Sequence, residues 1–177
     1  TMKLRDKKPL VTGGGVGIGE AIALAFAKEG ADVAIASRNS SNLESVARSV
    51  DSMGRKSLAI TTDISSEYQV KAMVEKTLAE FGRIDVLVNN SGIPGLFRDV
   101  ADMDLEDWNQ VLAVNLTGTM LCCREVLKDM KARQSGNIIN ISSMAGRRGS
   151  PARSSYVSSK WGMHGFNLTL AMEVGPD

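Results

Sequence analysis

Short apolar runs alternate with segments of helical periodicity from one end of the chain to the other, and that alternation leaves few folds open. Pro9 to Thr12 is a brief apolar run that stops at glycines. Ile18 to Lys28 follows as a helix, with Ile22, Ala25 and Phe26 at helical spacing and Gly30 as its stop. Asp32 to Ser37 reads as a second strand, and Ser41-Asn-Leu-Glu44 as a capping box opening a helix that ends near Gly54. Ser57 to Thr62 is a third strand, and Ser65 to Phe81 a helix closed by Gly82. Ile84 to Val88 is a nearly continuous apolar strand, the pattern of a sheet centre covered on both faces. Asp104 to Ala132 reads as one long helical region, Asn137 to Ile141 as a fifth strand and Tyr156 to Glu173 as a last helix. Strand, helix and strand in repetition demand parallel strands joined by right-handed crossovers, so the expected fold is α/β with a doubly wound parallel sheet.

Composition narrows the function classes. The 177 residues are 43% hydrophobic, enough for one domain with a core. Charge is balanced, 21 Lys+Arg against 20 Asp+Glu, which gives no reason to expect nucleic acid or an anionic membrane as partner. No apolar run reaches the roughly 18 residues a membrane span needs. The two cysteines, Cys122 and Cys123, are helical neighbours that cannot easily pair with each other, and they read as small core residues of a cytoplasmic protein.

Thr12-Gly-Gly-Gly-Val-Gly-Ile-Gly19 joins the first strand to the first helix. Glycines let the backbone turn tightly and approach a phosphate, and a helix start offers free N–H groups at a positive dipole end. The pattern Thr12-Gly13-x-x-x-Gly17-Ile18-Gly19 resembles the cofactor signature of the short-chain dehydrogenase/reductase family, and the likeness runs from about Lys7 to the last residue. It implies a Rossmann-type dinucleotide-binding domain over residues 1–177, with Thr12, Gly13, Gly17, Ile18 and Gly19 lining the dinucleotide. At the end of the second strand, where an acid would bind the ribose hydroxyls of NAD, the chain has Ser37-Arg38. A guanidinium and a hydroxyl suit a 2′-phosphate, so NADP(H) is favoured. Val16 stands where many NADP-using relatives carry a second base, and NAD(H) is the alternative. Asp63-Ile64 resembles the family's adenine-contacting pair. Asn89-Asn90-Ser91-Gly92 resembles its Asn-Asn-Ala-Gly turn, so that Asn89, Ser91 and Gly92 are expected to border the cofactor.

Tyr156-Val-Ser-Ser-Lys160 places a phenol and an ammonium at i and i+4, on one helix face. Ser143 lies thirteen residues before Tyr156, at the carboxyl end of the fifth strand, where open α/β sheets bind ligands. Asn115, in Val114-Asn115-Leu116, matches the family's helix asparagine. The resemblance implies an oxidoreductase interconverting a ketone or aldehyde and an alcohol by hydride transfer, with a 3-oxoacyl thioester among its substrates. Tyr156 is then the acid/base and Lys160 the ammonium that favours the phenolate and holds the nicotinamide ribose. Ser143 hydrogen-bonds the substrate oxygen, and Asn115 binds a water linking Lys160 to solvent. Ser142 is assigned to structure, and Ser154, Ser155, Ser158 and Ser159 read as helix caps. His164 is left out of the site. Arg147, Arg148 and Arg153 read as a solvated basic loop, with attraction of an anionic substrate as the alternative. A homodimer or homotetramer is implied, packed through the two long helices. The family continues into further C-terminal strands and substrate-covering helices, so an incomplete domain is expected. A chain truly ending at Asp177 would instead be a cofactor-binding or assembly module without turnover.

Overall fold

The computed structural model describes residues 2–175. The expectation about the chain's end at Asp177 therefore lies outside the described residues. Five parallel strands form one sheet in the order β3-β2-β1-β4-β5, from β1 (Pro9–Thr12), β2 (Val33–Ser37), β3 (Ser57–Thr61), β4 (Val86–Asn89) and β5 (Asn137–Asn140). The order reverses between β1 and β4, and their carboxyl ends open a crevice at that point. This is the doubly wound, Rossmann-type arrangement expected from the alternation of elements.

Strand periodicity divides the core in two. Val11, Val33, Ile35, Val86 and Val88 face one side, under α1 (Gly17–Lys28) and α2 (Ser40–Ser52). Leu10, Ala34, Ala36 and Leu87 face the other, against α3 (Glu67–Phe81) and α5 (Gly118–Arg133). Ala34 and Ala36 alternate with the larger Val33 and Ile35, and both sets are fully buried. At the amino ends of the strands, Asp32 accepts hydrogen bonds from Lys8 and from Lys56 N (2.9 Å) and pairs with Arg55 (2.8 Å). This tie holds β2 to the segments before β1 and β3.

Two expected elements differ in detail. Asn39, not Ser41, caps α2: its Oδ1 accepts from Asn42 N at 3.1 Å, and Ser41 donates to that same oxygen at 2.7 Å. Asn39 is the extended N-cap, with φ −98°, so the chain enters the helix two positions earlier than the box implies. The expected single helix from Asp104 to Ala132 is divided into α4 (Leu105–Leu112), a π turn (Ala113–Thr117) and α5. Asn115 sits within the π turn, and helical periodicity alone does not reveal the widened turn. A last helix, α6 (Ser154–Val174), packs against α4 and the π turn.

Candidate active site

The phosphate loop is locked by contacts to the end of β4. Gly13 and Gly17 take positive φ, 65° and 60°, which side chains rarely tolerate. A Cβ on Gly19 would run into the Gly13 carbonyl and come within 2.5 Å of Asn90 Nδ2. Nothing lies within 4 Å of a Cβ built on Gly17, so the loop is open on that side. Thr12 Oγ1 donates to Val88 O and accepts from Asn90 N (3.1 Å) and Ser91 N (3.2 Å). Asn90 Nδ2 in turn donates to the carbonyls of Thr12 (3.0 Å) and Gly13 (3.2 Å). Asn90 is therefore the residue that clamps the loop, a role hidden in the sequence because tandem asparagines after a strand read only as a turn. Asn89 does not reach the crevice: it is buried, and its amide donates to Cys123 Sγ and Asn140 Oδ1 (2.9 Å). The strand alternation that turns Asn89 into the α5 side is the physical reason.

A groove of about 270 Å³ extends from this loop. Ser37, Arg38, Asp63, Ile64, Ser91 and Gly92 line it. Hydrogen bonds from Ser65 hold the Asp63 carboxyl below the ordinary carboxylate range, although burial opposes them, and the nearby charge of Arg38 adds to the effect. The first turn of α1 has no side-chain cap, so its N–H groups stay available to an anion. Glycines open to close approach, an uncapped helix start and a basic residue at the groove's far end fit a dinucleotide. A larger hollow of about 430 Å³, lined by Leu127, Met130 and Leu170 among others, lies at the opposite end of β5 and α6, away from Tyr156.

Tyr156 and Lys160 occupy the first two turns of α6, with Lys160 Nζ 5.9 Å from the phenol ring centroid. Lys160 is 4% exposed and donates to Ile141 O at 2.9 Å, and burial pushes its pKa down. Ser143 caps a short 3-10 turn (Met144–Gly146); its Oγ accepts from Ala145 N at 3.1 Å. Asn115 is fully buried. Its Oδ1 accepts from Ile93 N (2.8 Å), and its Nδ2 donates to Ile93 O and Ser159 Oγ (both 3.0 Å). A Cβ on Gly92 would lie 3.3 Å from Asn115 Oδ1 and 3.8 Å from Lys160 Nζ, so the glycine leaves room between them. These partners give Asn115 a positioning role that the expected water contact does not foresee.

The expected caps of α6 are not caps. Arg153 occupies the N-cap position with no side-chain cap bond. Ser159 donates to Tyr156 O at 2.7 Å, and the buried Ser155 Oγ has no partner. The basic loop also departs from its reading. Arg147 and Arg148 are exposed, but the Arg153 guanidinium lies over the rings of Phe97 (4.8 Å to the centroid) and Tyr156 (4.4 Å). Short-range sequence rules could not show this, because Phe97 comes from the loop after β4. His164 packs against Gly146. Among the described residues no cluster of His, Cys, Asp or Glu could hold a metal ion, and no helix is long and apolar enough to cross a membrane.

A family model described as short chain dehydrogenase matches residues 7–177. The chain belongs to the short-chain dehydrogenase family. It is 41% identical to a short-chain dehydrogenase/reductase of Armillaria gallica, over 94% of this chain and 65% of that one. It is 38% identical to a 3beta-hydroxysteroid dehydrogenase of Mediterraneibacter gnavus, over 95% of this chain and 60% of that one. It is 40% identical to a 3-oxoacyl-[acyl-carrier-protein] reductase of Synechocystis sp., over 93% of this chain and 67% of that one. The chain thus spans between 60% and 67% of the length of these relatives. Among solved structures, NAD+-bound xylitol dehydrogenase superposes with a TM-score of 0.96 at 36% identity, covering 98% of this chain and 67% of that one. A metagenomic short-chain oxidoreductase in complex with NADP superposes at 0.94 with 35% identity, covering 98% of this chain and 78% of that one. Both nicotinamide cofactors therefore occur among similar short-chain dehydrogenase structures.

Proposed function

We propose that this chain belongs to an NADP(H)-preferring oxidoreductase that interconverts a carbonyl compound and an alcohol, with Tyr156 as acid and base. The observation that carries the reading is the buried Lys160 ammonium beside the Tyr156 ring, with Gly92 close to its Nζ. Gly13, Gly17, Gly19 and the α1 start would hold the pyrophosphate, and Ser37 and Arg38 the 2′-phosphate. The bound nicotinamide would supply the hydride.

This chain's own residues handle the proton and the charge. Tyr156 passes its hydroxyl proton to the carbonyl oxygen in reduction and takes it back in oxidation. Lys160 stabilises the phenolate left behind, and its burial strengthens that field by excluding water. Ser143 Oγ accepts from Ala145 N, which leaves its own proton to donate to the substrate oxygen. Asn115 is a positioning residue that fixes Ile93 and Ser159 around Lys160. Because 3-oxoacyl-carrier reductases are about 40% identical to this chain, a 3-oxoacyl thioester belongs in the panel of carbonyl compounds tested.

Tyr156→Phe tests the reading. Turnover followed by nicotinamide absorbance is expected to fall by about 10²–10⁴-fold with NADPH binding retained. Unchanged turnover refutes the role of Tyr156, and the absence of turnover in the unmodified protein across a carbonyl panel favours a binding or assembly module. NADH binding more tightly than NADPH would overturn the cofactor preference. Self-association belongs to the same proposal: α6 leaves Trp161, Leu168 and Met172 exposed, which suits packing against a second copy, and sedimentation equilibrium reads the stoichiometry.

A further inference from the structure

We infer that Arg153 anchors a carboxylate on the substrate, so that the carbonyl compound taken by this site is a short oxo acid rather than a neutral ketone, ester or thioester. The place of the reacting carbonyl rests on the oxidoreductase reading above, and the rest follows from the surroundings of Arg153.

Arg55, Arg83, Arg98, Arg124 and Arg133 each have a carboxylate partner. Arg153, among the described residues, has none, although its side chain is half-buried and its Nε is buried without an acceptor. A partly desolvated cation lacking a counter-charge is unfavourable, and ring contacts offset only part of that cost. The guanidinium carbon lies over two rings, 4.8 Å from the Phe97 centroid and 4.4 Å from that of Tyr156. The rings supply no oxygen acceptor, whereas the N–H fork of a guanidinium matches the two oxygens of a carboxylate.

The position is fixed by the fold. Arg98 N donates to Ala152 O at 3.0 Å, and Arg98 and Arg153 form an isolated parallel bridge. Ala152 takes a left-handed φ of 57°. Arg98 is itself paired with Asp104 at 2.7 Å. The loop after β4 is thereby fastened to the start of α6, and the guanidinium lies over the Tyr156 ring. With the guanidinium carbon 4.4 Å from the Tyr156 ring centroid, a carboxylate held by Arg153 would leave a carbonyl one or two carbons away within reach of that residue, which describes a 2- or 3-oxo acid. The exposed Leu96 and Phe97 add apolar wall for a short carbon chain. Arg147 and Arg148 are exposed and unstacked, so they raise the local concentration of anions without selecting among them.

Calorimetric titration of the NADP-loaded protein with 3-oxobutanoate and with its methyl ester tests the inference, beside turnover of both. The acid is expected to bind about ten- to hundredfold more tightly than the ester, the range of a charge-assisted hydrogen-bonded pair. Arg153→Met, which keeps the apolar stem, is expected to erase the difference, and Arg153→Lys to leave part of it. The Arg147→Met/Arg148→Met double variant is expected to retain the preference. Equal binding of acid and ester by the unmodified protein, no binding of the acid, or a preference surviving in Arg153→Met overturns the anchor. Should Arg153→Met fail to fold, Arg153→Lys together with the unmodified protein's acid-to-ester ratio decides. Acid preference without turnover of either compound sinks the oxidoreductase reading and leaves the anchor standing; turnover of neutral ketones without acid preference does the reverse.

Discussion

Replacing Asn115 with alanine removes a three-bond junction from the π turn. Ile93 N–H loses its acceptor at 2.8 Å, and Ile93 C=O and Ser159 Oγ lose donors at 3.0 Å. The site is fully buried, so the amide is held entirely by protein contacts. At about 0.5–1.5 kcal/mol net per hydrogen bond the loss sums to roughly 1.5–4.5 kcal/mol, and water reaching the half-buried Ile93 favours the lower part of that range. Asn115→Asp separates hydrogen bonding from packing. It keeps the acceptor for Ile93 N but sets a second oxygen against Ile93 O, so its cost is expected to equal or exceed that of alanine. Urea unfolding reads both variants as a lowered midpoint at unchanged slope. An Asn115→Ala protein within about 0.5 kcal/mol of the parent, or an Asn115→Asp protein as stable as the parent, would show that the junction does not hold Ile93 and Ser159 in place.

Gly19→Ala drives a methyl into the Gly13 carbonyl and the Asn90 clamp, so a stability loss of about 1–3 kcal/mol and weaker NADPH binding are expected in thermal melts and cofactor titration. Arg38→Asp is expected to reverse the NADPH-over-NADH preference, read as a ratio of dissociation constants; an unchanged ratio removes Arg38 from the 2′-phosphate site. Acid pH should destabilise the fold. Burial alone would raise Asp32 and Asp129, but Lys8 and Lys56 N with Arg55, and Arg133, hold them below 3.8, while Lys128 and then Arg124 lower Glu125. Their stabilisation is whole above the unfolded carboxylate range and is lost as pH falls through the lowered folded values, so a melting temperature flat from pH 5 to pH 2 would contradict these pairs. Lys160 acts in the opposite sense: burial holds it below 10.5, and its contribution improves as pH rises from that lowered value toward 10.5. Burial pushes the Cys122 and Cys123 thiols up to about 12, so neither is expected to react with a thiol reagent at pH 8 until urea unfolds the chain.

The features legible in the sequence are those that short stretches of chain decide for themselves. Apolar periodicity gave the alternation of strands and helices, and the crossover rule then gave a parallel sheet. Gly13 and Gly17 were legible because a positive φ is a local demand, and the Tyr156–Lys160 pair because four residues make about one helical turn. What the tertiary structure alone decided joins residues far apart in the chain. The Asn90 clamp spans 78 residues to Thr12, and the Asn115 junction spans 22 to Ile93. The strand pleat buried Asn89 and left Asn90 at the loop, a difference of one position that a pair of asparagines cannot announce. Arg153 reads as a solvated arginine in the sequence, whereas the fold sets its guanidinium over the ring of Phe97, from the loop after β4, and that of Tyr156, on α6. Local rules act within a turn or two of the backbone, whereas the partners of a buried or stacked polar group are chosen by whichever segments the packed sheet brings beside it.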